Sequence, residues 1–449
     1  SDGKAGLGSY KSPTTRLIAF FGRVNYSFDD RYLMTLNLRY EGSSKFYSNR
    51  WGLFPGISAG WRISSEKFMR DVRVVDDLKL RVSYGTTGNQ GFSTNTAYRM
   101  YSKDSWTYYN GQWLTVYGLM HNQNRDMKWE IKKEFDVGLD FSLFNRRLSG
   151  RMDYFSRKIE DAIYSGIPVA SPPAVYSTST VNIGDITNKG FEFELNGRVV
   201  DTRDWTFDTS LVGSFVGKSR LEGMAKDTHM EFQPMPHGGG SAVRIFGGQE
   251  IGRYFLYRFA GVREEDGTPM IYSKDNKVIP YASGTDEDRV QTGNGLPKAV
   301  LSWNNTVRYR NWDLNLFFRS WLGQDVYNVT DMIQGVNCKI TEGQNLLRTA
   351  YRRNKAISNT DRLMLLDYWL EKGDFLKLDA VTLGYTLPRN KIKYVEKLRC
   401  YFTVRNVCTL TGYSGLDPEV NVNGLAPGFE GMSQYPRTRS FILGIEIGF

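Results

Sequence analysis

The chain has 449 residues, enough for one large domain or several small ones, with 14% aromatic residues and 45 glycines. Its mean hydropathy is −0.45, and no run approaches the roughly 20 apolar residues of a membrane helix; the longest candidate, LMLLDYWL, is broken at Asp367, which excludes a helical membrane protein. The net charge of +10 comes from Lys and Arg that alternate with apolar residues instead of clustering, so no nucleic-acid partner is expected, and Cys338, Cys400 and Cys408 form no CxxC pair, which argues against a zinc site or a disulfide framework.

The opening SDGKAGLGSYKSPTT reads as a polar loop, not a signal peptide. A two-residue alternation then runs along the chain. In IAFFGRVNYSF, Ile18, Phe20, Gly22, Val24, Tyr26 and Phe28 share one parity, and Phe21, Arg23, Asn25 and Ser27 the other. YLMTLNLRY sets Tyr32, Met34, Leu36, Leu38 and Tyr40 against Asn37 and Arg39. The pattern recurs at Leu78–Tyr84, Phe135–Phe141, Phe191–Leu195, Trp312–Phe318 and Leu398–Val404. It closes the chain in RSFILGIEIGF, with Phe441, Leu443, Ile445, Ile447 and Phe449 on one parity.

Successive side chains on a strand face opposite sides, so each run carries one apolar and one polar face. Many runs reach the roughly 9–11 residues of a tilted membrane strand, longer than the about 5–6 of a typical soluble strand. Aromatics gather at the run ends, as in the girdles of a bilayer interface. The expectation is an all-β fold, a transmembrane antiparallel β-barrel.

Spanning strands are expected at 16–28, 31–41, 51–64, 76–87, 128–144, 146–159, 188–200, 203–217, 297–310, 311–324, 372–387, 397–411 and 437–449. Short connections at Asp29–Asp30, Asn145–Arg146, Asp201–Asp204 and Arg310–Asn311, and medium ones at Lys67–Val75 and Pro388–Glu396, alternate with longer ones near 42–50, 88–127, 160–182, 218–296, 325–371 and 412–436, as periplasmic turns alternate with outer loops. IGRYFLYRFAGV, near 250–262, would break that alternation by spanning, so a local strand inside an outer loop is expected. Phe20, Val24, Leu36, Leu38, Leu139, Leu314 and Leu316 should face lipid; Arg23, Asn25, Arg39, Asp140, Asn315 and Arg319 should face the lumen. About thirteen strands is an odd number, whereas single-chain bacterial barrels close with an even one, so the chain reads as part of a barrel.

Catalytic and metal motifs are absent from the sequence. His121, His229 and His237 lie in expected outer loops without HExxH spacing, and read as solvated loop residues. HGGGSAVRIFGGQE matches no phosphate-binding pattern and reads as a flexible loop. EEDGT and SGTDEDR hint at loop calcium, but they lack EF-hand spacing and read as solvated acidic turns. No GxSxG elbow occurs. The stretch DSWTYYNGQWLTVYG stands out. Trp106, Tyr108, Tyr109, Trp113 and Tyr117 could stack on sugar rings or peptide side chains, with Asn110 and Gln112 offering hydrogen bonds; alternatively they pack within the loop or against a partner.

EGSSKFYSNRWGLFPGISAGWRISSEKFM resembles the SusC-like outer-membrane nutrient transporters of Bacteroidetes. So do LKLRVSYGTTGNQ, NIGDITNKGFEFEL, GNGLPKAVLSWNNTVRY, DFLKLDAVTLGYTLP, RNVCTLTGYSGLDPEVN and YPRTRSFILGIEIGF, in the family's order. The resemblance implies a TonB-dependent barrel of about 22 strands, a plug and a TonB box. It also implies a SusD-like surface lipoprotein as partner, and oligosaccharide or, in some members, oligopeptide cargo. The plug, the TonB box and roughly nine barrel strands are then expected outside residues 1–449. Phe441, Leu443, Ile445, Ile447 and Phe449 would form the terminal signal for barrel assembly. The alternatives are a passive porin, a surface receptor or adhesion barrel, and a soluble β-rich glycan-degrading enzyme, which would need a carboxylate pair.

Overall fold

A computed structural model describes residues 14–448, apart from 94, 170–171, 173, 225–228, 236–239, 337–342, 344, 358–364, 389–394 and 432–434. Its main element is a sheet in which thirteen strands follow one another in chain order, each antiparallel to the next. They are β1 (Leu17–Phe28), β2 (Tyr32–Ser43), β3 (Trp51–Arg62), β4 (Val75–Asn89), β5 (Glu130–Leu143), β6 (Leu148–Glu160) and β7 (Asp185–Asp201). Then come β8 (Trp205–Val216), β9 (Ala299–Tyr309), β10 (Trp312–Leu322), β11 (Phe375–Thr386), β12 (Lys397–Thr411) and β13 (Ser440–Gly448). Each falls on an expected span, with ends moved by a few residues. β11 starts late because Leu370–Lys372 pairs with Asp325–Tyr327 outside the main sheet.

The tight turns follow from local chemistry. Asp29 and Asp30 both take positive φ, 51° and 50°, as the mirror-image turns that match strand twist require. Phe144, Asn145 and Arg146 do the same between β5 and β6.

Register sorts the side chains onto two faces. Phe20 pairs with Tyr40, Val24 with Leu36, and Leu36 with Ile57, so these share one apolar face. Leu139 joins it opposite Leu80, as do Leu314 and Leu316 opposite Leu383 and Val381. The row Trp205, Tyr309, Trp312 and Tyr385 runs in register across four strands at the short-turn end. Phe28, Tyr32 and Trp61 form a second such row. At the long-loop end, Trp51 stacks on Tyr40 at 4.8 Å and Trp303 on Phe318 at 5.4 Å. These are the two girdles of a lipid-facing surface.

The opposite face is charged and internally paired. Arg23 donates to Asn37 at 2.8 Å, and Arg81 to Asp140 at 2.8 Å and Asp153 at 2.7 Å. Arg198 and Arg308 share Asp208, and Arg399 holds Asp313 at 2.6 Å. The sheet is open: β1 and β13 each pair with a single main-sheet neighbour.

The long connections carry structure of their own. The expected local strand is Tyr254–Val262, at the centre of a six-stranded sheet. Ser241–Phe246 is a second strand of that sheet, with Ala242, Val243 and Ile245 fully buried. This corrects the flexible-loop reading of HGGGSAVRIFGGQE: Val243 and Ile245 alternate about Arg244 and, with Ala242, had a core to enter. That core is shared by three connections, with Met230, Ile245 and Leu256 meeting Tyr327, Met332 and Trp369 from the next loop and Phe429 from the last.

Candidate functional site: the outer mouth and the lumenal face

The connection between β4 and β5 rises as a hairpin, Tyr101–Tyr109 against Gln112–Leu119. Asn110 (φ 47°) and Gly111 (φ 79°) form its turn, conformations that Asn and Gly adopt most readily. Tyr108 pairs with Trp113 and Trp106 with Thr115; a bulge between Lys103 and Ser105 then brings Lys103 opposite Tyr117. Lys103, Trp106, Tyr108, Trp113 and Tyr117 therefore share one face. The ammonium of Lys103 lies 3.8 Å from the Trp106 ring centre, and Tyr108 meets Trp113 edge-on at 5.3 Å. Tyr109 and Gln112 pair on the opposite face, and Asn110 sits in the turn. The sequence cluster is thus split, with four of its aromatics gathered on one side.

Those four rings are 55–67% exposed. The hairpin root is buried by contrast. Phe46, Phe54, Phe92, Met127 and Trp129 form a small core below it. Asn122 bonds the backbone of Tyr176 and Thr178, tying this connection to the one between β6 and β7. The Nε2 of His121 lies 3.0 and 3.1 Å from the carbonyls of Asn95 and Tyr98, which corrects the solvated reading. His237, Cys338 and Phe449 lie outside the described residues.

The acidic turns are likewise engaged. Asp266 is held by Arg263 and Thr268, which keep its carboxyl far below the usual range. Asp286 pairs with Arg244 and Arg289, and buried Asp288 completes a capping box with Thr285. Among the described residues, no group of three His, Cys, Asp or Glu side chains is arranged to hold a metal ion.

A cavity of about 490 Å³ opens on the lumenal face, lined by Arg39, Glu41, Phe54, Trp129, Lys132 and Glu134. Further round, the segment after β12 folds back onto the same face. Lys377, 1% exposed on β11, donates to Asp417 at 2.8 Å and Glu419 at 2.9 Å. Arg319 binds Glu419 at 2.9 Å and Asp379 at 3.1 Å, and Arg437 binds Glu419 at 2.9 Å. Asp379 is itself the bulged residue of β11, unpaired with both β10 and β12, which places it within that reach. Sequence reading missed this cluster; its signal was Lys377 at lumenal parity facing the acidic pair of LDPEV. Tyr254 secures the segment from above, its hydroxyl donating to the carbonyls of Asp325 and Gly428, each at 2.9 Å. A Cβ at Gly428 (φ 83°) would overlap that hydroxyl.

On the apolar face of β13, Phe441, Leu443, Ile445 and Ile447 are 51–79% exposed. They continue the row set by Val404, Phe402, Cys400 and Leu398.

Similarity to known proteins agrees with this geometry. The TonB-dependent receptor-like β-barrel model matches residues 1–407. TonB-dependent receptor P3 of Formosa agariphila is 29% identical over 97% of this chain and 46% of its own length. TonB-dependent receptor SusC of Bacteroides thetaiotaomicron is 29% identical over 96% of the chain and 44% of its own. The chain spans less than half the length of these curated relatives. In fold it superposes on the structure of the RagAB peptide transporter with a TM-score of 0.83, at 22% identity, over 97% of this chain and 47% of that one. The chain belongs to the TonB-dependent receptor family and forms part of its outer-membrane β-barrel.

Proposed function

We propose that residues 1–449 form the C-terminal part of the barrel of an outer-membrane importer for a bulky nutrient, an oligosaccharide in the first place and an oligopeptide in the second. TonB energises the transport, through a plug and TonB box carried outside these residues, and a SusD-like surface lipoprotein hands over the cargo. The observation that carries this reading is the joint placement of an exposed aromatic face at the mouth and a charged, polar lumenal face below it. A large hydrated solute needs both: ring faces to stack on at capture, and polar groups to pass along. SusC is named a TonB-dependent receptor and RagAB a peptide transporter, and the likeness to both is in keeping with import of a bulky solute.

Trp106, Tyr108, Trp113 and Tyr117 are the residues we assign to cargo contact, with Tyr109, Asn110 and Gln112 at the hairpin tip. The test is growth on single glycans and on peptide mixtures by a strain whose full-length protein carries Trp106→Ala and Trp113→Ala. Lost growth with the lipoprotein still co-purifying supports cargo contact. Lost co-purification means the face binds the lipoprotein instead, and unchanged growth removes the assignment.

A further inference from the structure

We propose that the connection between β3 and β4 is a membrane anchor that lies in the periplasmic leaflet of the outer membrane. Its sequence over residues 63–74 is ISSEKFMRDVRV. The other fully described turns at this end are shorter, and a connection that only reverses the chain needs two residues.

The segment has a defined attachment. Two single 3-10 turns, Ile63–Ser65 and Lys67–Met69, flank Glu66. The Glu66 carboxylate accepts from the Tyr32 hydroxyl at 2.7 Å, the Trp61 indole N–H at 3.0 Å and Arg31 at 3.3 Å. Tyr32 and Trp61 are register partners on the apolar face, in the girdle row that begins at Phe28. A carboxylate bonded to both of them lies on the lipid side of the sheet. The segment therefore turns outward, not beneath the lumen.

Beyond that attachment the chain presents apolar side chains to its surroundings. Phe68 is 66% exposed, Val72 40% and Val74 49%. The neighbouring turn adds Phe144, 52% exposed, whose N–H donates to the Val74 carbonyl at 2.9 Å. Lys67, Arg70 and Arg73 are interleaved with them and exposed; against the single acid Asp71, residues 67–74 carry three positive charges and one negative. Among the described residues, no hydrogen bond or ion pair engages those three basic side chains.

The occupant follows from position and charge. The apolar residues continue a lipid-facing girdle at its periplasmic edge, where acyl chains meet headgroups. Interleaved bases at that depth face phosphodiesters, the arrangement of interfacial elements that lie in the membrane plane. A phospholipid surface satisfies both sets of side chains at once.

The test uses the full-length protein with its native cysteines replaced by serine and one nitroxide label at Phe68→Cys. It is reconstituted in vesicles of phosphatidylethanolamine and phosphatidylglycerol, and a label at Asp30→Cys in the β1–β2 turn serves as the aqueous reference. Power-saturation spectroscopy reads the ratio of oxygen to nickel-chelate accessibility. The proposal expects a ratio several-fold higher at Phe68 than at Asp30. It also expects that ratio to fall when Lys67, Arg70 and Arg73 become Gln, or when phosphatidylcholine replaces phosphatidylglycerol. Equal ratios at the two sites would overturn it and leave the segment as a water-exposed surface for a periplasmic protein. If heat-modifiable gel migration shows that the Phe68 variant does not assemble, a label at Val72→Cys decides by the same comparison.

Discussion

The Nζ of Lys377 on β11 lies 2.9 Å from a carboxylate oxygen of Glu419, 42 residues further along the chain. The contact fastens the last outer connection to the lumenal face, and Asp417, Arg319 and Arg437 complete the cluster. Removing one member of a buried ion pair leaves its partners uncompensated, at a cost of about 3–5 kcal/mol. Lys377→Ala should therefore release residues 412–430 while the main sheet assembles normally. Protease cleavage within that segment, with unchanged heat-modifiable migration, is the expected outcome.

The same cluster should respond to acid. Burial alone would raise the Glu419 carboxyl, but hydrogen bonds from Arg319 and Lys377 outweigh it and hold it below the usual carboxylate range. A carboxyl whose folded pKa is depressed contributes stability above its unfolded value of about 4.3 and loses it as pH falls through the folded value. The segment should stay fastened at about pH 5 and above and loosen below about pH 4. Cleavage by an acid-active protease across that range reads this, and a Glu419→Gln variant should show a flatter profile.

The two faces of the sheet predict opposite tolerances at adjacent positions. Leu316 lies on the apolar face opposite Val381, whereas Asn315 donates to Asn304 at 2.8 Å on the lumenal side. Arg at Leu316 should destabilise the barrel by about 2–4 kcal/mol, and Arg at Asn315 by far less. Equal unfolding midpoints for the two variants would contradict the assignment of faces.

The open edges make a further prediction. β1 and β13 each leave a row of N–H and C=O groups unpaired in the sheet, and hydrocarbon offers such groups no partner, at a cost of several kcal/mol each. Residues 1–449 expressed alone should show no heat-modifiable migration, and co-expression of the rest of the barrel, even as a separate chain, should restore it.

The strands were legible because their physics is local. A period of two, such as Leu36 and Leu38 against Asn37 and Arg39, is set by which side meets lipid and needs no knowledge of other strands. The face of each residue followed from the same parity, except across a bulge such as Asp379 in β11, where the parity of the lipid-facing residues changes. The outer mouth was less legible, because its contacts join distant parts of the chain. Nothing beside Tyr254 in sequence announces that its hydroxyl will meet carbonyls at Asp325 and Gly428. Ser241–Phe246 was misread because its flanking glycines outweighed an alternation that a remote core later buried. The aromatics at 106–117 were found as a set, but their division between two faces depended on a bulge at Lys103–Ser105 that composition does not reveal.

Energised import can be read from the uptake of labelled cargo. Cells expressing the full-length protein with the SusD-like lipoprotein proposed as its partner would be given fluorescent oligosaccharides or fluorescent peptides, in matched strains with and without TonB. Energised import requires that one cargo class accumulate and that this accumulation fall to background when TonB is removed. Accumulation that is the same in both strains would contradict it and identify a passive pore.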